Sequence, residues 1–187
     1  MGKETAVVQK LKRVKRELVK EGVIVDMYAD YMEMPDGKVV HWDYIEHRKG
    51  AAAVLPVLPD GRILMVRQYR NAIDRITLEV PAGARDSITE DTVVCARREL
   101  EEETGYTCGK LEKLLSLKST VAFCNEFIDV YLATELTPGK QQLDEDEFID
   151  IVTCDLFELC EKVYAGEIQD AKTVAAILAY ANRIRNN

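Results

Sequence analysis

At 187 residues, 47% of them hydrophobic, the chain is long enough to bury one substantial core and short for two full domains. Its 33 acidic residues outweigh 25 basic ones, a formal net charge of -8, so the field of the whole molecule repels polyphosphate backbones and argues against a nucleic-acid partner. The five cysteines are scattered, odd in number and without a C-x-x-C pair, which fits a reduced, cytoplasmic compartment, and two histidines, His41 and His47, are too few for a zinc cluster.

Residues 10–20 are charged throughout, and no apolar run approaches the ~20 residues of a membrane helix, so neither signal peptide nor membrane anchor is expected. Between Val23 and Tyr44, β-branched and aromatic residues flank Met34-Pro35-Asp36-Gly37-Lys38, which predicts a hairpin. Apolar runs at 51–58 and 63–66 flank Pro59-Asp60-Gly61-Arg62, which predicts a second. A short strand over 76–80 ends at Pro81-Ala82-Gly83, and a polar loop runs on to Thr89.

From Glu90 to Thr104 the pattern turns helical: Val93, Ala96, Leu100 and Thr104 recur at intervals of three and four, and Gly105 ends the run. Residues 111–117, 127–133 and 148–153 read as strands, and 156–165 and 171–184 as helices. A mixed or antiparallel sheet with helices packed on it follows. Disorder is expected at the termini and around 137–146.

On the predicted helix, Glu99, Glu102 and Glu103 stand at i, i+3 and i+4, so three like charges share one face. That crowding costs a few tenths of a kcal/mol per pair in an isolated helix, by about as much as an opposite pair would gain. A bare acidic run is ordinarily a solvated face. Oxygen donors without histidine or thiolate also suit a hard cation, magnesium or manganese, that completes its shell with water and substrate phosphate.

The surrounding residues choose between these readings. Gly83, Glu90 and Arg98-Glu99-Leu100-Glu101-Glu102-Glu103-Thr104-Gly105-Tyr106 resemble the Nudix box, G-x5-E-x7-R-E-U-x-E-E-x-G-U, with U a bulky apolar residue. Six residues rather than five separate Gly83 from Glu90; the remainder is in register. The resemblance implies an α+β fold, an α/β/α sandwich with a mixed sheet over 49–187, preceded over 1–48 by an antiparallel β unit that pairs two subunits. It implies metal binding by Glu99, Glu102 and Glu103, with the Ala82 carbonyl completing the shell. Arg98 would buttress a glutamate by paired hydrogen bonds, Glu90 would be structural, and Gly83 would shape the loop on the substrate side.

Beyond the box, the chain is similar to ADP-ribose pyrophosphatases at Trp42, Val66-Arg67-Gln68-Tyr69-Arg70, Leu78-Glu79-Val80-Pro81-Ala82-Gly83 and Asp170-Ala171-Lys172-Thr173. By that resemblance Arg70 and Arg67 meet phosphate, Glu79 belongs to the substrate site, and Trp42 stacks on the base in a homodimer. Trp42 as a core residue and Arg67 as a surface arginine are the plain alternatives. Where the subfamily shows S-P-G-F-x-x-E, this chain reads Thr120-Val121-Ala122-Phe123-Cys124-Asn125-Glu126, keeping only the acidic Glu126 and the phenylalanine. The base that activates water is sought in the acidic run 143–147, with Glu145 ahead of Glu147. The implied activity is magnesium-dependent cleavage of a nucleoside diphosphate sugar, ADP-ribose to AMP and ribose 5-phosphate, with GDP-mannose or another nucleotide sugar as the alternative. A non-catalytic nucleotide-sensing module is the rival of a different class; such modules commonly lose box glutamates, and this chain keeps all three.

Overall fold

The computed structural model describes residues 8–145 and 147–186, and these fall into two compact units. The first comprises the chain up to Arg48 together with Thr120–Asn125. In it β1 (Lys12–Glu21), β2 (Val25–Glu33) and β3 (Val39–His47) form an antiparallel meander in that order. The turn at 34–38 closes as its residues predict, with the Met34 amide donating to Lys38 O at 2.7 Å and Gly37 at φ 82°.

Strand β1 had no counterpart among the predicted elements. Its Lys, Arg and Glu residues are mostly exposed, so no apolar alternation announces it; cross-strand pairing to β2 carries it instead. Arg16 grips Asp30 with two hydrogen bonds of 2.6 and 2.7 Å. The segment Thr120–Asn125 is laid along β3: Ile45 N donates to Phe123 O at 2.7 Å, Asn125 N to Ile45 O at 3.3 Å, and His47 N to the Asn125 side-chain oxygen at 2.6 Å.

The second unit holds the other seven strands, β4 (Ala51–Pro56), β5 (Ile63–Arg70), β6 (Arg75–Glu79), β7 (Ala82–Ala84), β8 (Tyr106–Lys118), β9 (Phe127–Pro138) and β10 (Ile149–Cys154). Its helices are α1 (Thr92–Thr104), α2 (Leu156–Tyr164) and α3 (Ala171–Arg185). The strands form two sheets, ordered β7-β4-β9-β8 and β10-β5-β6; β4 and β9 run parallel and the other neighbours antiparallel.

Alternation along β4 explains the layers. Ala51, Ala53 and Leu55 pack with Leu159 of α2 and Ala176 and Ile177 of α3, whereas Ala52 and Val54 pack with Cys95, Ala96 and Leu100 of α1. Because both faces are covered, β4 is buried along its whole length and reads as a continuous apolar run. The unit is thus an α/β/α sandwich with a mixed sheet.

Two expectations are corrected. The turn at 59–62 forms, with Leu58 N donating to Arg62 O at 2.8 Å, but its flanking strands do not make a hairpin: apart from one bridge at Val57 and Ile63 they enter different sheets. Both strands are buried by other partners, so the turn signal was right and the pairing it suggested was wrong. The stretch around 137–146 was expected to be disordered; instead β9 continues to Pro138, and Gln142 N donates to Glu102 O at 2.9 Å while Gln141 Nε2 donates to Glu103 O at 2.7 Å and Ile149 O at 3.2 Å. The unpaired carbonyls at the end of α1 supply the first two of those acceptors and β10 the third. Asp146 and the two chain ends lie outside the described residues.

Candidate active site

Helix α1 begins at Asp91 and ends at Gly105, which takes the left-handed conformation at φ 72° and donates its amide to Glu101 O at 2.8 Å. Its last turns carry Glu99, Glu101, Glu102 and Glu103 with no basic residue in the final turn. Acidic charge at a helix C-terminus opposes the helix dipole, so this end gains nothing from its own composition. Leu100 and Ala96 fix the helix rotation by packing on β4, which buries Glu99 and Glu103 while Glu101 stays exposed.

The Pro81-Ala82-Gly83 segment passes directly beside this face. Ala82 N donates to Glu103 at 3.0 Å, and a Cβ added at Gly83 would overlap the Glu99 carboxylate, so the glycine lets that carboxylate lie against the loop. Burial pushes the Glu99 carboxyl up to about 7 against the opposing pull of Arg98. Burial likewise pushes Glu103 up to about 8, with the charges of Glu99 and Glu147 adding to it.

Arg98 gathers the glutamates. Its Nη1 donates to Glu99 at 2.6 Å and Glu102 at 2.9 Å, its Nη2 to Ala84 O at 3.0 Å, and its Nε lies 3.5 Å from Glu90. One nitrogen thus bridges two carboxylates, where the resemblance implied a two-pronged grip on one. Glu90 also accepts from Asp86 N at 2.7 Å and so closes the loop that leads into the helix.

A second charged cluster adjoins the first. Glu79 is buried and accepts from Arg70 at 2.8 and 2.6 Å, Thr77 at 2.6 Å and Lys172 at 2.6 Å. Burial alone would raise its pKa, but Arg70 and Lys172 hold it down at about 2. Lys172 also binds Asp170 at 3.0 Å, and Asp170 caps α3 through Thr173 N at 3.0 Å. Arg70, held above its ordinary pKa chiefly by Glu79, feels Glu103 as well, which places the guanidinium within the field of the acidic helix. Lys172 and Asp170 stand in a stretch that resembles the family, but nothing in their spacing signals that Lys172 binds Glu79 and Asp170 binds Lys172.

The other candidates are distributed as follows. Glu147 raises the pKa of both Glu99 and Glu103, so it lies within their electrostatic reach, and it shares with Arg67 a cleft of about 440 Å³ between β5 and the segment before β10. Glu145 is exposed in a turn of that segment, and Glu126 is half-buried immediately before β9. Trp42 belongs to the N-terminal unit, half-exposed on β3 in a cleft of about 630 Å³ with His41, Ile45 and Phe123.

Among the described residues, no three or more His, Cys, Asp or Glu side chains are gathered at the spacing that holds an ion, since Arg98 stands between Glu99 and Glu102 and Glu103 is turned onto the Ala82 amide. The donors nonetheless fit a hard divalent cation: all are oxygens, two are buried with their carboxyls pushed toward neutrality, and glycine keeps Gly83 clear of Glu99.

An α/β/α sandwich with an acidic helix end facing a glycine loop narrows the class of protein, and comparison with known proteins gives the family. Residues 47–177 match the NUDIX domain model. Over 168 residues the chain is 39% identical to an ADP-ribose pyrophosphatase of Bacillus subtilis (89% of this chain, 90% of the relative) and 37% identical to a methanol dehydrogenase activator of Bacillus methanolicus (again 89% and 90%). A GDP-mannose pyrophosphatase of Cronobacter sakazakii is 29% identical (84% and 91%). In three dimensions the chain resembles an ADP compounds hydrolase, with a TM-score of 0.84 at 20% identity over 97% of this chain and 98% of the other. The chain belongs to the NUDIX domain family and is a Nudix hydrolase, an enzyme class that depends on divalent metal.

Proposed function

We propose that this enzyme uses magnesium to hydrolyse the diphosphate of a nucleoside diphosphate sugar, with ADP-ribose as principal substrate and AMP and ribose 5-phosphate as products. The observation that carries the reading is the burial of Glu99 and Glu103 within each other's field, at a cost that a cation would offset, beside an arginine suited to phosphate. The extent of likeness to the B. subtilis pyrophosphatase favours ADP-ribose. GDP-mannose is the second candidate, favoured by the C. sakazakii relative and by the departure of residues 120–126 from the ADP-ribose pattern.

Glu99, Glu102 and Glu103, with the Ala82 carbonyl, are the residues that would hold the ion. A divalent cation bound there neutralises charge on the diphosphate oxygens and lowers the pKa of water. Arg98 orients Glu99 and Glu102, and Glu79 with Lys172 orients Arg70 so that its guanidinium meets phosphate. Glu147 takes the proton of the attacking water, favoured over Glu145 and Glu126 by its coupling to both buried glutamates. Gly83 keeps the loop against Glu99.

The N-terminal unit pairs two subunits in this reading, a role supported by the exposed Leu18, Val19, Val39 and Trp42 on its strands. Trp42 then receives the base, and Cys95, Cys108, Cys154 and Cys160, all free thiols, suit a cytoplasmic setting. Product analysis with ADP-ribose, GDP-mannose, other nucleotide sugars and dinucleotide polyphosphates, each with and without magnesium, tests the proposal. AMP released from ADP-ribose faster than products from any other compound supports it; faster turnover of another compound reassigns the substrate, and no metal-dependent turnover at all leaves a nucleotide-sensing module.

A further inference from the structure

Among the described residues, one buried side-chain polar atom has no hydrogen-bond partner: Nε2 of Gln68. A buried amide donor loses its water without recovering a bond, so natural folds rarely leave one idle, and an acceptor from a bound molecule is one way such a donor is satisfied. Gln68 lies on β5, two residues from Arg70 and therefore on the same face of the strand.

The cleft that Gln68 lines indicates what that ligand is. Gln68 lines the cleft of about 440 Å³ together with Arg67, Tyr69, Glu147, Phe148 and Asp150. Tyr69 and Phe148 are 57% and 84% exposed, so two aromatic rings are available for the apolar faces of a sugar. Two carboxylates and a guanidinium supply acceptors and donors for hydroxyl groups, and the volume lies within the range of small-ligand sites. Gln141 Nε2 donates both to Glu103 O at 2.7 Å and to Ile149 O at 3.2 Å, and Ile149 lines the cleft, so the cleft adjoins the acidic end of α1.

We infer that this cleft takes the terminal sugar of the substrate and that the Gln68 side-chain amide donates a hydrogen bond to one of its oxygens, making Gln68 a determinant of sugar binding. The inference rests on the nucleotide-sugar reading given above. Methionine at this position keeps the length and bulk of glutamine and removes the idle donor.

Kinetics of the wild type and of Gln68→Met, with magnesium and ADP-ribose as substrate and with ADP as an inhibitor that lacks the sugar, test it. The variant is expected to raise KM for ADP-ribose roughly tenfold, the effect of one lost hydrogen bond, at nearly unchanged kcat. Its inhibition constant for ADP stays that of the wild type, and its melting temperature holds or rises because no buried donor remains unpaired. An equal loss for ADP, a fall in kcat at constant KM, or unchanged kinetics with a lower melting temperature each overturns the inference, pointing respectively to the nucleotide half, to Glu147 and to a packing role. Wild-type protein that turns over no nucleotide sugar removes the parent reading itself, an outcome seen before the variant is made.

Discussion

Glu103 receives one hydrogen bond from the described residues, the 3.0 Å bond from Ala82 N, although its side chain is almost wholly buried and its pKa is pushed up to about 8. A carboxylate so placed is costly unless a cation shares it. Glu103→Gln keeps the shape and an acceptor for Ala82 N while removing the charge. It is expected to lower metal-dependent turnover by more than ~100-fold, beyond the loss typical of outer-shell partners, with an unchanged or higher melting temperature in chelator. A variant that retains wild-type turnover removes Glu103 from the metal site. Gly83 is constrained by contact with Glu99, not by backbone angle. Gly83→Ala must therefore push aside the Glu99 carboxylate, the far end of its side chain, so its effect falls on the position of that group more than on stability. Its turnover should fall at least tenfold, which a recovery at saturating magnesium would trace to metal affinity.

At the scale of the element, α1 and the segment after β9 act together. Gly105 is left-handed, and a Cβ there would meet backbone atoms of Gln141 and Lys140 at 2.6 and 2.8 Å, in the segment that goes on to carry Glu147. Gly105→Ala is therefore expected to cost ~1–2 kcal/mol for the backbone conformation alone, and to lower kcat as well because the Glu147 segment shifts. Urea unfolding and steady-state kinetics on the same sample check both; loss of stability with intact kcat would uncouple the segment from the chemistry. The helix itself was legible in the sequence, since a repeat of three and four residues, a glycine stop and a fixed box occupy one continuous stretch. Strand β1 was not, because exposed charged residues pair across strands without leaving an apolar period. Nor was the parting of β4 from β5, because a turn motif specifies its own dihedral angles and not which sheet its arms join. The site shows the same division: Glu99, Glu102 and Glu103 are local on one helix, whereas the bond from Lys172 to Glu79 spans 93 positions of sequence and becomes visible only when α3 is packed in place.

Over the whole second unit, that long bond ties β5, β6 and α3 to one carboxylate, and its pH dependence can be worked out. Glu79 has a pKa of about 2 in the fold against an ordinary 4.5, because Arg70, Lys172 and Thr77 favour the ionised form more than burial opposes it. A lowered carboxylate pKa gives stability that is fully present above the unfolded value and is lost as pH falls through the folded one. The window thus runs from about pH 4.5 down to about pH 2, and the shift corresponds to a stabilisation on the order of 3 kcal/mol at neutral pH. Glu79→Gln abolishes this titration and leaves Arg70 and Lys172 without their shared anion, so it should be markedly less stable at neutral pH. Unfolding free energies from urea titration across the acid range should fall more steeply for the wild type than for the variant, so that the two curves converge near about pH 2. Parallel curves would mean that Glu79 is not the group through which acid loosens the contact between α3 and the strands bearing Arg70, and that other residues hold the Arg70 guanidinium in place.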